Sequence, residues 1–306
     1  MSRKSGEVGE HVEVAVAGPR PSLRAPAPGY QPGRTLSIRT ELARQLRRRR
    51  SHIAAGLAAI VPLLLILAFW FGSSDNSGEK QASAYDSLVT VATAGGLNFA
   101  LFTLVATAFL LLVLVALLFG DTVASEASWG SLRYLLAAPV PRSRLLASKW
   151  AVSLLCSIGV IVLLVGVALS VGTAVYGWQP LQLPTGTKLP TSQALLRLTA
   201  ITGYVGLSFL PVAGLAFLLS VSIDSPIGAV GGAVMFHIVT QIFSAISALG
   251  QLRQALPSYY SQAWLGLLST PIQTQEMAKG AWVTLMYATV LFSAAWWRFT
   301  TKDIVS

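Results

Sequence analysis

Six apolar runs divide the chain, at about 53–71, 97–120, 150–175, 198–223, 226–249 and 281–297. Each is about the length a helix needs to cross a hydrocarbon core of roughly 30 Å. Inside such a core every amide and carbonyl must find its partner within the chain, so the runs predict helices. The expected fold is an all-α integral membrane protein with six transmembrane helices. Pro62 falls within the first run, and Pro211 near the middle of the fourth predicts a kink there. Asp224-Ser225-Pro226 reads as a tight turn between the fourth and fifth.

Two further stretches repeat at helical spacing without being apolar all round. In the first, Ile38, Leu42 and Leu46 fall at i, i+4 and i+8, while Arg39, Arg44, Arg47 and Arg48 lie elsewhere on the wheel. With Ser37 as its cap, this predicts an amphipathic interface helix over 35–50, resting in the headgroups. The second is the charged, turn-rich insert Phe119–Lys149. Asp121 is suited to cap a helix, Trp129, Leu132 and Leu136 line one face, and Glu126, Gly130 and Arg133 lie on another. Pro139 and Pro141 stop it. A short helix flat on the membrane fits this pattern, and so does a basic loop anchored by its Trp and Leu residues.

Composition agrees with a membrane protein: 54% of the 306 residues are hydrophobic and only 11% charged, against about a quarter charged in a soluble domain. The net charge of +10 is a matter of placement. Eleven of the 22 Lys and Arg residues precede position 51, four lie in the insert and two follow the last run, against five in the intervening segments. That asymmetry predicts both termini on the cytoplasmic side and argues against nucleic-acid binding. Residues 1–34, with Pro19, Pro21, Pro26, Pro28 and Pro32, read as a disordered cytoplasmic tail, and 299–306 as a second, short one. The single cysteine, Cys156, excludes an intrachain disulfide.

Candidate chemistry is sparse. No G-x-x-x-x-G-K-[ST] phosphate loop occurs, so any ATP must be hydrolysed by another polypeptide. No carboxylate falls at mid-span, which argues against a proton- or sodium-driven carrier. The metalloprotease motif H-E-x-x-H and the nucleophile elbow G-x-S-x-G are also missing. An intramembrane protease or lipid-modifying enzyme is the alternative from a different class. One polar stripe lies within a span: His237, Gln241 and Ser244 share a face of the fifth, as a substrate route or as hydrogen bonding between helices. The same span opens with Gly228-x-x-x-Gly232, a spacing that permits close helix approach. The segment 250–279 holds Leu256, Tyr259, Tyr260, Trp264, Leu265 and Leu267, more apolar than a solvated loop.

The order Gly120-Asp121, Glu126, Gly130, Leu132-Arg133, Leu136, Pro139, Arg142 and Lys149 resembles the signature segment of ABC-2-type exporter permeases. The resemblance implies the transmembrane subunit of an ABC exporter, in the plasma membrane of a prokaryote. It also implies two copies of a separate ATP-binding subunit and a second permease, identical or homologous, as partners. ATP and Mg would be held in the partner ATPase, with no cofactor in this chain. The insert would be the coupling helix that touches the ATPase, through Asp121, Glu126, Gly130, Arg133, Pro139 and Arg142. Asn98 and Phe102, at the outer end of the second span, join the substrate-route candidates on the same ground. The substrate would be hydrophobic or amphipathic: a drug, a lipid or a peptide. A lipid- or peptide-sensing protein associated with an ATPase, and a membrane scaffold without transport, are the alternatives.

Overall fold

The computed structural model describes residues 38–72, 84–128, 142–183 and 186–301. Two helices open the described chain, α1 (Ile38–Leu46) and α2 (Arg49–Gly72), the second running through Pro62 unbroken. The cap expected of Ser37 and the helix expected over 129–138 lie outside the described residues.

The second apolar run is not one helix. It is split into α4 (Gly96–Ala106) and α5 (Ala108–Ser128), preceded by a short α3 (Ala84–Thr93) outside the six apolar runs. The break falls at Thr107, whose hydroxyl donates to the Thr103 carbonyl at 2.6 Å. Such back-bonding bends a helix. The far end corrects a second expectation, because α5 continues eight residues past Gly120 to Ser128. Asp121 is therefore within a helix and caps nothing. The helix need not stop at its first charge, since its carboxylates meet cations from other parts of the chain, described below.

The third run is likewise longer than its apolar stretch. Helix α6 (Arg142–Tyr176) has 35 residues and starts eight residues before Trp150. Beyond Tyr176 a two-stranded hairpin pairs β1 (Leu181–Gln182) with β2 (Lys188–Leu189), Leu181 opposite Leu189. Asn98 fastens it to the bundle: its Nδ2 donates to the Gln182 carbonyl at 2.8 Å, and its Oδ1 accepts from the Gln182 amide at 2.9 Å.

The fourth run breaks where Pro211 predicts. Helix α7 (Thr191–Ser208) ends at Phe209, and α8 (Leu210–Ser222) begins with Pro211 in its first turn, where proline's missing amide costs nothing. Helix α9 (Pro226–Ala245) is capped by Ser225, whose Oγ accepts from the Gly228 amide at 3.2 Å. It ends four residues before the predicted Leu249. Three 3-10 helices then fill the apolar segment, Ser247–Ala255, Pro257–Tyr260 and Ala263–Leu268. The last helix, α10 (Gln275–Thr301), extends past the predicted 281–297 at both ends.

Among the described residues, five helical segments are long and apolar enough to cross a membrane: 49–71, 108–126, 143–176, 191–222 and 226–245. Helix α10 is not one of them. Thr284, Tyr287, Thr289, Ser293, Trp296 and Trp297 dilute its apolar character, although its 27 residues give it the length.

Helix α8 packs against α5, α9 and α10. Its Phe217 joins Phe119 of α5 and Phe292 of α10 in a ring cluster with centroids 5.9 to 6.1 Å apart, and Trp150 of α6 meets Phe292 edge-on at 5.7 Å. Edge-to-face pairs of this kind add to plain area burial. Gly232 of the Gly228-x-x-x-Gly232 pattern lies against Leu219 of α8, so within this chain it serves the α8–α9 contact.

Candidate functional site

Six charged side chains from four helices, and Arg48 from the corner between α1 and α2, converge where α1, the end of α5 and the start of α6 meet. Glu126 is 4% exposed and accepts from three cations through Oε1: Lys149 Nζ at 2.6 Å, Arg44 Nη2 at 2.8 Å and Arg48 Nη2 at 3.3 Å. Lys149 is 2% exposed and also lies 3.6 Å from Glu41, which pairs with Arg44 at 2.7 Å. One turn back on α5, Asp121 pairs with Arg50, and Arg48 stands 3.8 Å from it. Four cations thus enclose three buried carboxylates.

Local sequence explains each position. Asp121 and Glu126 fall on adjoining turns of α5, Glu41, Arg44 and Arg48 follow at helical spacing through the α1–α2 corner, and Lys149 is on the second turn of α6. Ser51 stabilises that corner by donating to the Gln45 carbonyl at 2.7 Å. Neighbouring hydroxyls bind the same helices: Thr122 and Ser153 lie 3.2 Å apart, and Ser153 donates to the Leu118 carbonyl at 3.1 Å. Buried charges persist only when their partners replace the lost water. Here they tie α1 to the two helix ends that flank residues 129–141.

Of the residues the sequence assigns to ATPase coupling, Asp121 and Glu126 are therefore buried against cations of their own chain. Arg142 is the first residue of α6. Gly130, Arg133 and Pro139 lie outside the described residues. Sequence reasoning missed Glu41, read Arg44 and Arg48 as the polar face of an interface helix, and counted Arg50 only among the basic residues that precede position 51. No sequence signal pairs them with carboxylates some 70 to 85 positions away.

A cavity of about 480 Å³ forms a second candidate place. It opens where the α4–α5 and α7–α8 breaks face α9 and the 3-10 segments. His237 and Gln241 line it, with Phe109, Ser208, Ser258 and Trp264 on the other walls, and no lining residue is charged. Thr240 and Ser258, 2.6 Å apart, close one side by joining α9 to a 3-10 helix. Ser244 stands beside the lining, donating to the Gln241 carbonyl at 2.8 Å. Asn98 and Phe102 are elsewhere: Asn98 holds the hairpin, and Phe102 packs on Phe69 at 5.4 Å. Such a chamber can seat an amphipathic molecule, with hydrogen bonds to fix it and aromatic surface to cover it. Among the described residues no group of His, Cys, Asp and Glu is placed to hold a metal ion.

A family model described as ABC-2 family transporter protein matches residues 39–304. No curated protein matches the chain.

Proposed function

The chain belongs to the ABC-2 transporter family, and from that premise we propose that it is the permease of an ATP-driven exporter. As a multi-pass membrane transport subunit it needs an energy source, and its sequence holds no phosphate loop. In this reading two ATP-binding subunits supply that energy, with ATP and Mg bound there, and a second permease completes the assembly. Helix α9 is suited to meet that second permease. Only 17% of its apolar stretch is buried within this chain, and Met235, Ile242 and Phe243 are exposed on it. Helix α10 is the sixth span, both termini are cytoplasmic, and the membrane is a prokaryotic plasma membrane.

The observation that carries this reading is the uncharged cavity at two helix breaks, because a break is where a span can bend between inward and outward states. The ion cluster supplies the other half. Residues 121–142 couple to the ATPase, with Gly130, Arg133, Pro139 and Arg142 toward the partner. Asp121 and Glu126 hold the end of α5 to α1 and α6, so that movement of the ATPase moves the spans as one unit. The cargo is hydrophobic or amphipathic and moves outward.

A transport assay tests the cavity's role. Vesicles containing this chain and its ATPase are screened for amphipathic compounds that stimulate ATP turnover, and His237→Trp and Ser208→Trp are then compared with wild type. Filling the chamber is expected to cut stimulated turnover about tenfold, a loss of about 1.4 kcal/mol of coupling, with basal turnover retained. Wild-type stimulation in both variants would remove the cavity from the route.

A further inference from the structure

A second concavity lies on the other side of α5. It is a trough of about 630 Å³ walled by α6 and the α7–α8 pair, with Val115 and Phe119 of α5 as its floor. On α6 its lining extends from Leu154 to Leu169, and on the opposite, antiparallel wall from Leu195 to Ala213. Fifteen residues at 1.5 Å each make the α6 wall about 22 Å long. The acyl chain of one leaflet fills about half of a 30 Å core, so the trough is long enough to hold one. Gly166, Gly203 and Gly206 contribute no side chain to it, and none of its lining residues is charged.

One lining group is out of keeping with hydrocarbon. Ser157 is 4% exposed, and its hydroxyl has no hydrogen-bond partner among the described residues. The other hydroxyls of the walls are satisfied: Thr199 donates to the Leu195 carbonyl at 2.9 Å, and Thr202 to the Leu198 carbonyl at 2.7 Å. A buried donor without a partner is unfavourable, so Ser157 calls for an acceptor that enters the trough. Its depth identifies the acceptor. Counting 30 Å, or about 20 residues, back along α6 from the aromatic end at Tyr176 reaches residue 156. Ser157 therefore stands at one edge of the hydrocarbon core, the edge nearer α1. That is the depth of the ester groups of a phospholipid.

We propose that the trough is a binding site for a diacyl glycerophospholipid of the leaflet nearer α1. One acyl chain lies along α6 against Phe119 and the glycines, and the Ser157 hydroxyl donates to an ester carbonyl oxygen. The lipid is a resident of the site and not the cargo. The inference needs only that the chain spans the membrane, and it stands or falls separately from transport.

The test uses the full chain in nanodiscs of palmitoyl-oleoyl phosphatidylglycerol, re-extracted into mild detergent, with retained lipid counted by native mass spectrometry. Variants Gly166→Leu/Gly203→Leu and Ser157→Ala are compared with wild type. A Cβ at Gly166 or Gly203 meets nothing within 4 Å, so both side chains start into open space, and an unchanged melting temperature checks that the fold is kept. Wild type is expected to keep about one phospholipid per chain, the filled variant to lose at least about tenfold in occupancy, and Ser157→Ala to release lipid about fivefold faster. Any of three results overturns the proposal: no lipid on wild type, equal retention in the filled variant, or a retained hydrophobe that is not a glycerophospholipid. A filled variant that dissociates into single chains while keeping its lipid also overturns it, and marks the trough as a contact between copies.

Discussion

Glu126→Ala is expected to lower the stability of the protein by about 3–5 kcal/mol, enough to deplete the folded fraction in a size-exclusion profile and to lower the melting temperature markedly. The reason is Lys149. Its ammonium is 2% exposed and loses its 2.6 Å partner, while Glu41 at 3.6 Å and the Thr122 carbonyl at 3.4 Å are poorer substitutes. A charge stranded in a buried site costs far more than the intact pair contributed. Hence the paired replacement Glu126→Leu/Lys149→Met should recover most of the loss, because Arg44 and Arg48 are partly exposed and can turn to water. Equal melting temperatures for wild type and Glu126→Ala would show that the cluster does not hold these helices together.

Gly96→Val is expected to be at least as damaging. A Cβ at this position would lie 2.7 Å from the Thr173 amide nitrogen and 2.8 Å from its Cα, so two backbones touch where α4 crosses α6. Neither helix can withdraw alone, since the Gly96 amide also donates to the Gly177 carbonyl at 3.0 Å. Overpacking commonly costs about 1–3 kcal/mol, and a branched side chain against backbone belongs at the top of that range or above it. Gly159 is the control, for a Cβ there meets nothing within 4 Å. Gly159→Ala should hold or raise the melting temperature, by up to about 1 kcal/mol of helix propensity. The reverse order of the two variants would mean that the α4–α6 crossing is not close.

The apolar runs were legible because a bilayer allows one local solution, and Pro211 marked its break because proline acts on its own turn. The break at Thr107 carried no such sign, since threonine is tolerated in apolar helices and its hydroxyl bonds to the preceding turn elsewhere in this chain without breaking a helix. The extension of α5 past Gly120 was illegible for another reason. A charge ordinarily ends a span, and the cations that let Asp121 and Glu126 continue the helix come from α1, α2 and α6. His237 and Gln241 could be grouped from their i, i+4 spacing, but Ser208, Ser258 and Trp264 joined them only through folding of distant segments. Asn98 was a route candidate on the family resemblance alone. Its partner is a strand of two residues, too short to be read from a pattern.

The most direct measurement is retention of the partner ATPase, with its ATP turnover, by detergent-purified wild type and by Arg133→Ala. The account predicts that wild type holds the ATPase, and that Arg133→Ala loses it at least about tenfold more readily with an unchanged melting temperature. Arg133 then acts on the partner, and the ion cluster on the fold. An Arg133→Ala chain that keeps the ATPase at wild-type turnover would contradict the account.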